Sequence, residues 1–331
     1  MSDVDAIIEG RVGRIVLNRP KALNALDQPM IRAIAAALSA WRDDPSVHAV
    51  TIEGAGGRAF CAGGDIRAIR DAALAGDAAW IHGFFHEEYT LNRMIAEYPK
   101  PYIALIDGIC MGGGIGVSVH GRYRVATEAA LFAMPETGIA LFPDVGASYF
   151  LPRLPGALGM YLGLTGTRLK GADAVHAGFA THFVPQSLLA DLAAALARAG
   201  VAALAEFVVA LPAFSLAEAR PAIDRAFRAG SVAAIFAALE EEGDWGQATL
   251  AILRAASPSS LLWSFGIIRR GASHELPACL AAELKLTAGV TAHSDFAEGV
   301  RAMIIDKDRA PKWVPARLED VDQAAIAAML A

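Results

Sequence analysis

Cysteine is scarce in this chain, and its few cysteines show no paired spacing. The 331 residues contain three of them, Cys61, Cys110 and Cys279, with no CxxC pair. This pattern argues against a disulfide framework and fits a reducing compartment. The N-terminus begins Met-Ser-Asp-Val-Asp and shows neither a signal-peptide core nor an Arg-rich amphipathic helix. The sequence therefore predicts a cytoplasmic location.

The chain also lacks an excess of positive charge and long apolar runs. Lysine and arginine together number 29 against 35 acids, a net charge of −6, and no basic block occurs. Nucleic acid is therefore not an expected partner. Mean hydropathy is high at +0.39, but polar residues and glycines interrupt every apolar run before it reaches about 18 residues. We therefore expect no membrane partner.

Several signatures of metal, nucleotide and hydrolase sites are missing. The eight histidines form no HxH or HExxH pattern, and His86-Glu87-Glu88-Tyr89 lacks the second histidine. GxGxxG and GxxxxGK[ST] do not occur, which excludes the dinucleotide fingerprint and the P-loop. GxSxG is absent as well, which removes the usual serine hydrolase elbow. No metal or separate cofactor is expected.

Hydrophobic periodicity predicts a mixed α/β fold followed by helices. Strands alternate with helices in the first half of the chain, and strand signals end near residue 186. We predict an α/β core over residues 1–200 and a helical region over 201–331 packed on it. The predicted strands are 4–9, 12–18, 47–53, 101–106, 122–126 and 131–133. The predicted helices are 28–41, 77–97, 187–199, 231–240, 245–256, 258–270, 276–287 and 295–304, with N-caps at Asp27, Ser231, Ser257 and Asp295.

Two glycine-rich turns are the strongest candidates for backbone contact with a ligand. Gly112, Gly113 and Gly114 precede a predicted helix, where each glycine costs roughly 1 kcal/mol relative to alanine. Close helix packing or exposed amides would both explain them. Residues 60–66 form a second turn, whose amides could donate to an oxyanion, or which could simply cap a helix at Asp65. Cys61 in this turn has no basic partner nearby, so we interpret it as a small buried residue.

Two acids follow the triple glycine, each next to a proline. Glu136 has apolar neighbours, which suits a partly desolvated general base, although an exposed loop acid would read the same way. Asp144 could contact a ligand or cap a helix that starts at Val145. Backbone donors facing positioned acids are what carbonyl chemistry through an oxyanion requires.

Together these segments resemble the enoyl-CoA hydratase/isomerase (crotonase) superfamily. The resemblance runs from about residue 15 to 315 and implies a spiral core of β-β-α units with a helical C-terminal part. Among its branches, the chain is most similar to the one that hydrolyses 3-hydroxyisobutyryl-CoA. The matching segments are 17–26 (LNRPKALNAL), 60–69 (FCAGGDIRAI), 86–92 (HEEYTLN), 111–127, 132–154, 257–262 (SPSSLL) and 296–313.

This resemblance implies a set of site residues. The amides of Gly64 and Gly113 would form an oxyanion hole for a CoA thioester. Glu88, Gly113, Glu136 and Asp144 match substrate-contacting positions. The segments near CoA would contain Lys21, Ala62, Asp65 and Ile66.

One position bears on the reaction. Hydratases of the superfamily carry a second catalytic glutamate two residues after the triple glycine, and here that residue is Gly116. The resemblance therefore implies hydrolysis of (S)-3-hydroxyisobutyryl-CoA or 3-hydroxypropionyl-CoA, as in valine degradation. CoA would be part of the substrate. Members of the superfamily often assemble as homo-oligomers, but the sequence itself shows no decisive exposed patch for such an assembly. Hydration or isomerisation of a short enoyl-CoA, and acyl-CoA binding without catalysis, are the alternatives.

Overall fold

The computed structural model describes residues 3–331. This part of the chain contains ten strands and fifteen α-helices. The strands are β1 (Val4–Glu9), β2 (Val12–Leu17), β3 (Ala49–Gly54), β4 (Ala59–Cys61), β5 (Tyr102–Ile106), β6 (Ile109–Met111), β7 (Tyr123–Ala126), β8 (Leu131–Ala133), β9 (Leu169–Lys170) and β10 (His182–Phe183). The helices are α1 (Gln28–Trp41), α2 (Ile66–Leu74), α3 (Ala78–Ala96), α4 (Gly113–Val119), α5 (Ala147–Phe150), α6 (Leu158–Thr165), α7 (Gly171–Ala177), α8 (Leu189–Ala199), α9 (Arg220–Ala226), α10 (Val232–Glu240), α11 (Gly243–Ala255), α12 (Pro258–Gly271), α13 (Leu276–Ala292), α14 (Ser294–Val300) and α15 (Gln323–Leu330).

The chain divides into two compact units, each assembled from three separate stretches. Unit 1 contains residues 1–65, 87–133 and 168–215, and unit 2 contains residues 66–86, 134–167 and 216–331. The predicted mixed α/β class, with helices in the C-terminal part of the chain, is confirmed. The boundary at residue 200 stays a prediction.

Unit 1 holds two β-sheets. The larger has the order β1-β2-β3-β5-β7-β10, in which β1 and β2 form an antiparallel hairpin and the other neighbours are parallel. The smaller has the order β4-β6-β8-β9, with only β8 and β9 antiparallel. The smaller sheet is built from strands of two or three residues, which are too short to show a period in the sequence.

Apolar side chains of the larger sheet pack against the helix that follows β10. Leu192 and Leu196 of α8, with Leu204, join Ile103 and Val125 in one buried cluster. Residues 186–206, which include α8, are also long and apolar enough by composition to cross a membrane, with 28% of the most apolar window buried. The packed leucines account for part of this apolar character.

Unit 2 is helical, and its predicted caps were partly right. The side chains of Ser231 and Ser257 accept from the amides of Ala234 and Ser260, as expected at N-caps. Asp295 as an N-cap is wrong, because His293 caps α14 and Asp295 lies buried in the first turn. In unit 1, Asp27 caps α1 through the amide of Met30, as predicted.

Candidate active site

Backbone hydrogen bonds to the segment before α1 fix the position of the turn after β4. The amide of Leu26 donates to the carbonyl of Gly63 over 2.8 Å, and the amide of Asp65 donates to the carbonyl of Leu26 over 2.8 Å. Gly63 has a φ of +113°, a backbone conformation that residues other than glycine rarely adopt. These bonds fix the orientation of the Gly64 peptide, which lies between them.

Gly113 begins α4 beside this turn. A Cβ on Gly113 would overlap the Oε1 atom of Glu88 and would lie 3.1 Å from the nitrogen of Gly64. Residues in the first turn of a helix have no intrahelical acceptor for their N–H groups, and this end of the helix favours negative charge. The structure thus brings Gly64, Gly113 and Glu88 together within unit 1.

Gly114 is a glycine for another reason. A Cβ there would overlap the carbonyl oxygen of Cys61, so α4 and β4 approach each other too closely for a side chain. The close-packing interpretation therefore fits Gly114, whereas Gly113 borders the space beside the Gly64 amide. Cys61 itself is fully buried, and this burial raises the pKa of its thiol to about 12. Such a thiol is not an activated nucleophile, as the sequence suggested.

Helix α3 contributes two buried polar side chains to unit 1. Glu88 is only 2% exposed, and Asn92, one turn further on, is fully buried. Within residues 3–331 the side-chain amide of Asn92 has no hydrogen-bond partner. Buried polar groups normally have one, so Asn92 marks a place where a water or ligand could bond. No local pattern in the sequence predicts that Asn92 is buried without a partner among residues 3–331.

The residues expected near CoA have different environments. Lys21 is exposed, in a short 3₁₀ helix. Asp65 forms an ion pair with Arg19 over 2.9 Å, and the amide of Ala62 donates to the carbonyl of Leu23. Ile66 begins α2 in unit 2.

Glu136 and Asp144 both lie in unit 2, where their side chains are buried. Glu136 is 5% exposed and opens a 3₁₀ turn, Glu136–Ile139, so it is not the exposed loop acid that the sequence also allowed. The amide of Leu141 donates to the carbonyl of Glu136, and the Thr137 hydroxyl donates to the carbonyl of Leu164 over 3.0 Å. These bonds anchor the turn that positions Glu136.

The turn that carries Asp144 has an unusual backbone. Val145 and Gly146 both have positive φ, at +54° and +85°, and a β-branched residue in this region is strained. The next helix, α5, starts at Ala147, with Gly146 as its N-cap residue. The amide of Ala147 donates to the main-chain carbonyl of Asp144 over 2.8 Å.

A glutamate from α13 bonds the remaining amides of this turn. The Glu283 carboxyl group accepts from the amide of Gly146 at 2.7 Å, and from both the amide of Ser148 (2.9 Å) and its hydroxyl. The amides at the start of this helix therefore have a carboxyl group from a distant helix as their acceptor. The pKa of Glu283 is raised to about 8, mainly by its complete burial; the hydrogen bonds from Ser148 and Gly146 lower it, and the nearby charge of Asp144 contributes to the increase.

Helix α12 supports the segment between the two acids. The Ser260 hydroxyl and the Trp263 indole N–H both donate to the carbonyl of Leu141. Ser257, at the start of the same helix, donates through its hydroxyl to Asp295 over 2.7 Å. Ser257 and Ser260 belong to the family-like segment 257–262, and Asp295 directly precedes the segment 296–313. Residues in or next to both segments therefore hold this part of unit 2 in place.

Sequence reasoning missed Glu283, although a signal was present. It lies on α13 among apolar residues at helical spacing, including Leu280, Leu286 and Val290. A lone acid on such a buried face is unexpected unless it is bonded. Its partners are about 135 residues away in the sequence, so only the folded chain reveals them.

Two cavities of unit 2 and a search for possible metal ligands add no further site residue. A cavity of about 640 Å³ is bordered by α10, α11, α12 and the segment near Arg317, and none of the predicted site residues lines it. A cavity of about 240 Å³ includes Thr137 and Gly138, the neighbours of Glu136. Across residues 3–331 no group of three or more His, Cys, Asp or Glu side chains could hold a metal ion.

Comparison with known proteins identifies the family. The sequence model of a family described as enoyl-CoA hydratase/isomerase matches residues 12–330. The chain therefore belongs to the enoyl-CoA hydratase/isomerase family, which confirms the resemblance inferred from its motifs.

Individual relatives make the comparison more specific. The chain is 50% identical over 325 residues to the mitochondrial 3-hydroxyisobutyryl-CoA hydrolase of Xenopus tropicalis, covering 94% of this chain and 84% of that one. For the human protein of the same name the identity is 46%, with coverages of 95% and 85%. The names of these relatives place them in mitochondria, so the expectation of a cytoplasmic location is wrong.

Solved structures agree on the fold but have other titles. A carnitinyl-CoA dehydratase from Mycobacterium thermoresistibile is 42% identical with a TM-score of 0.96, covering 100% of this chain and 97% of that one. An enoyl-CoA hydratase from Rhodobacter sphaeroides is 43% identical with a TM-score of 0.93 and the same coverages.

Proposed function

We propose that this chain hydrolyses the thioester of (S)-3-hydroxyisobutyryl-CoA to the free hydroxy acid and CoA. The observation that carries the proposal is the identity of 46–50% to proteins named 3-hydroxyisobutyryl-CoA hydrolase, over about 94–95% of the chain. These relatives bear out the prediction of an acyl-CoA thioester hydrolase. We further propose that the reaction serves valine degradation, that 3-hydroxypropionyl-CoA is a second substrate, and that the enzyme acts as a homo-oligomer.

In this proposal the amides of Gly64 and Gly113 bind the thioester oxygen. Their support is the absence of side chains at both positions and the 3.1 Å separation between the Gly64 nitrogen and the place of a Cβ on Gly113. Donors held in this way stabilise the oxyanion that forms when the carbonyl carbon is attacked. Glu88 lies beside Gly113 and contacts the acyl group, and Lys21, Ala62, Asp65 and Ile66 contact the CoA part.

Glu136 acts at the acyl carbon. As a general base it would take a proton from water while the water oxygen bonds to the carbon, and the C–S bond would then break. As a nucleophile it would displace the thiolate and form an anhydride, which water then hydrolyses. Both routes end with a hydroxy acid and a protonated CoA thiol, and the buried environment of Glu136 suits a carboxyl group that takes part in either.

Asp144 binds the 3-hydroxyl of the substrate. It is 4% exposed, and the amides that follow it are bonded by Glu283 and by its own carbonyl. A buried site that bonds a hydroxyl discriminates strongly against an analogue without one, since its polar group is then left unpaired.

Hydration of an enoyl-CoA is the second candidate, because the two solved structures described above are titled dehydratase and hydratase. Gly116, buried within α4, argues against it, since the position holds no second acid. A non-catalytic acyl-CoA-binding role is the third.

Thiol release and loss of the crotonyl double bond, measured together, distinguish the three. Purified protein is offered 3-hydroxyisobutyryl-CoA and crotonyl-CoA in parallel, and free thiol is followed with a chromogenic reagent. Hydrolysis releases thiol from the first substrate, whereas hydration only removes the double bond of the second. Absence of thiol release from 3-hydroxyisobutyryl-CoA would overturn the proposal.

A further inference from the structure

Glu283 is a buried acid that the proposed chemistry does not use directly. It is fully buried on α13, and all the hydrogen bonds described for it go to the turn 144–148. Burying a carboxyl group costs free energy, which hydrogen bonds to its oxygens offset only in part. A buried acid at this position therefore suggests a role beyond packing. The turn that it bonds is the one that carries Asp144.

The turn requires an external support. Val145 is in the left-handed region, where a β-branched residue is strained by about 1–3 kcal/mol. Its helix, α5, has only four residues, so little intrahelical bonding holds it. The three hydrogen bonds to Glu283 act at Gly146 and Ser148, directly after the strained residue.

Helix α12 approaches the same turn from another direction. A Cβ on Gly271 would overlap the carbonyl oxygen of Ser148, so the helix backbone lies against the turn. On α13, the thiol of Cys279 has its pKa raised mainly by burial, with a contribution from the charge of Glu283. Asp144 and Cys279 are thus the titratable groups that interact with Glu283.

We propose that Glu283 is a positioning residue that fixes Asp144 for recognition of the substrate hydroxyl, by bonding the amides of Gly146 and Ser148. This inference rests on the proposed function, because it requires Asp144 to contact that hydroxyl. Glu283 itself does not touch the substrate. Its effect is to hold the Asp144 carboxylate in one place.

The conservative variant Glu283→Gln weakens this hydrogen bonding while keeping a side chain of nearly the same size. A glutamine can accept through one atom only, so one of the amides of Gly146 and Ser148 then faces an NH₂ group. A displacement of 1 Å at a substrate-positioning group can reduce a rate by about 10²-fold. We therefore expect a loss in selectivity rather than only in the amount of folded enzyme.

The measurement is the ratio of kcat/KM for 3-hydroxyisobutyryl-CoA to that for isobutyryl-CoA, which lacks the hydroxyl. In Glu283→Gln this ratio falls by about tenfold or more. In Ser148→Ala, which removes only the hydroxyl bond, it falls in the same direction by a smaller factor. The control Glu275→Gln, an exposed acid just before the same helix, leaves the ratio unchanged.

Combination with Asp144→Asn tests whether Glu283 acts through Asp144. If it does, the double variant has the same ratio as Asp144→Asn alone, since coupled residues are not additive. A merely structural role lowers kcat for both substrates equally and leaves the ratio unchanged in every folded variant. That result, or additive effects in the double variant, would overturn the inference while the unaltered protein still releases thiol. If the unaltered protein releases none, the proposed function fails as well.

Discussion

Replacing Gly113 with alanine tests the oxyanion hole most directly. The substitution adds one methyl group, which would overlap the Oε1 atom of Glu88 and lie 3.1 Å from the Gly64 nitrogen and 3.3 Å from the carbonyl carbon of Gly63. An oxyanion must stand 2.7–3.1 Å from each donor nitrogen. The methyl carbon would therefore occupy the place that the thioester oxygen needs beside Gly64.

The magnitude follows from this geometry. Both N–H groups remain, but the oxygen can no longer reach the Gly64 amide, which equals the loss of one donor. Such a loss reduces kcat by about 10²–10³-fold, or roughly 3–4 kcal/mol. The overlap with Glu88 is with the end of a side chain, so the fold is expected to adjust at a cost of about 1–3 kcal/mol.

The assay is thiol release from 3-hydroxyisobutyryl-CoA, with folding checked by circular dichroism and thermal unfolding. Gly230→Ala is the matched control, because the nearest atom to a Cβ there is 3.9 Å away, on the flexible side chain of Arg269. We expect the control to keep the kcat of the unaltered protein. If folded Gly113→Ala retains a tenth or more of that kcat, the assignment of this glycine to the oxyanion hole is refuted.

Three further predictions concern unit 2. Glu136→Gln should reduce thiol release by about 10²–10⁴-fold with the fold intact; a variant that keeps most of its activity would contradict the role of Glu136. Asp295→Ala leaves the Ser257 hydroxyl and the Val314 amide without their acceptor, and should lower the free energy of unfolding by about 2–4 kcal/mol in urea titrations. The pKa of Glu283 is raised from 4.5 to about 8 on folding, so the folded chain holds a proton that the unfolded chain has released. The free energy of unfolding, relative to Glu283→Gln, should therefore fall from about pH 5 to about pH 8, by at most roughly 1.4 kcal/mol per pH unit; a flat difference would contradict this.

Strong local signals predicted the regular elements well. The apolar spacing of α1 and its cap at Asp27 gave the helix its observed bounds, Gln28–Trp41. Strands of five or six residues in the larger sheet were found within one or two residues of their ends. The elements that were missed include β9, β10 and α5, which have only two to four residues. They also include four helices of seven or eight residues, α6, α7, α9 and α15.

Caps and site supports depended on distant partners. Asp295 has the residue type and position of an N-cap, but its carboxylate bonds Ser257 and Val314, and a histidine takes the cap. Asp144 likewise precedes a helix, yet Glu283 supplies the acceptors for that helix's amides. The Asp295 carboxylate is thus engaged by groups 19 and 38 residues away, and the helix after Asp144 is capped from a helix about 135 residues away. A local pattern cannot reveal partners at such distances.

The sequence by itself determined the family, the two glycine turns and the pair of acids, because each depends on residue types at short, fixed spacing. It also determined by omission that Gly116 leaves no second acid in α4. Only the tertiary structure decided that Gly113 borders the Gly64 amide whereas Gly114 packs against Cys61, and that Glu283 caps the turn of Asp144. The physical reason is that backbone approach and buried hydrogen bonds join residues remote in sequence, so their partners exist only once the chain has folded.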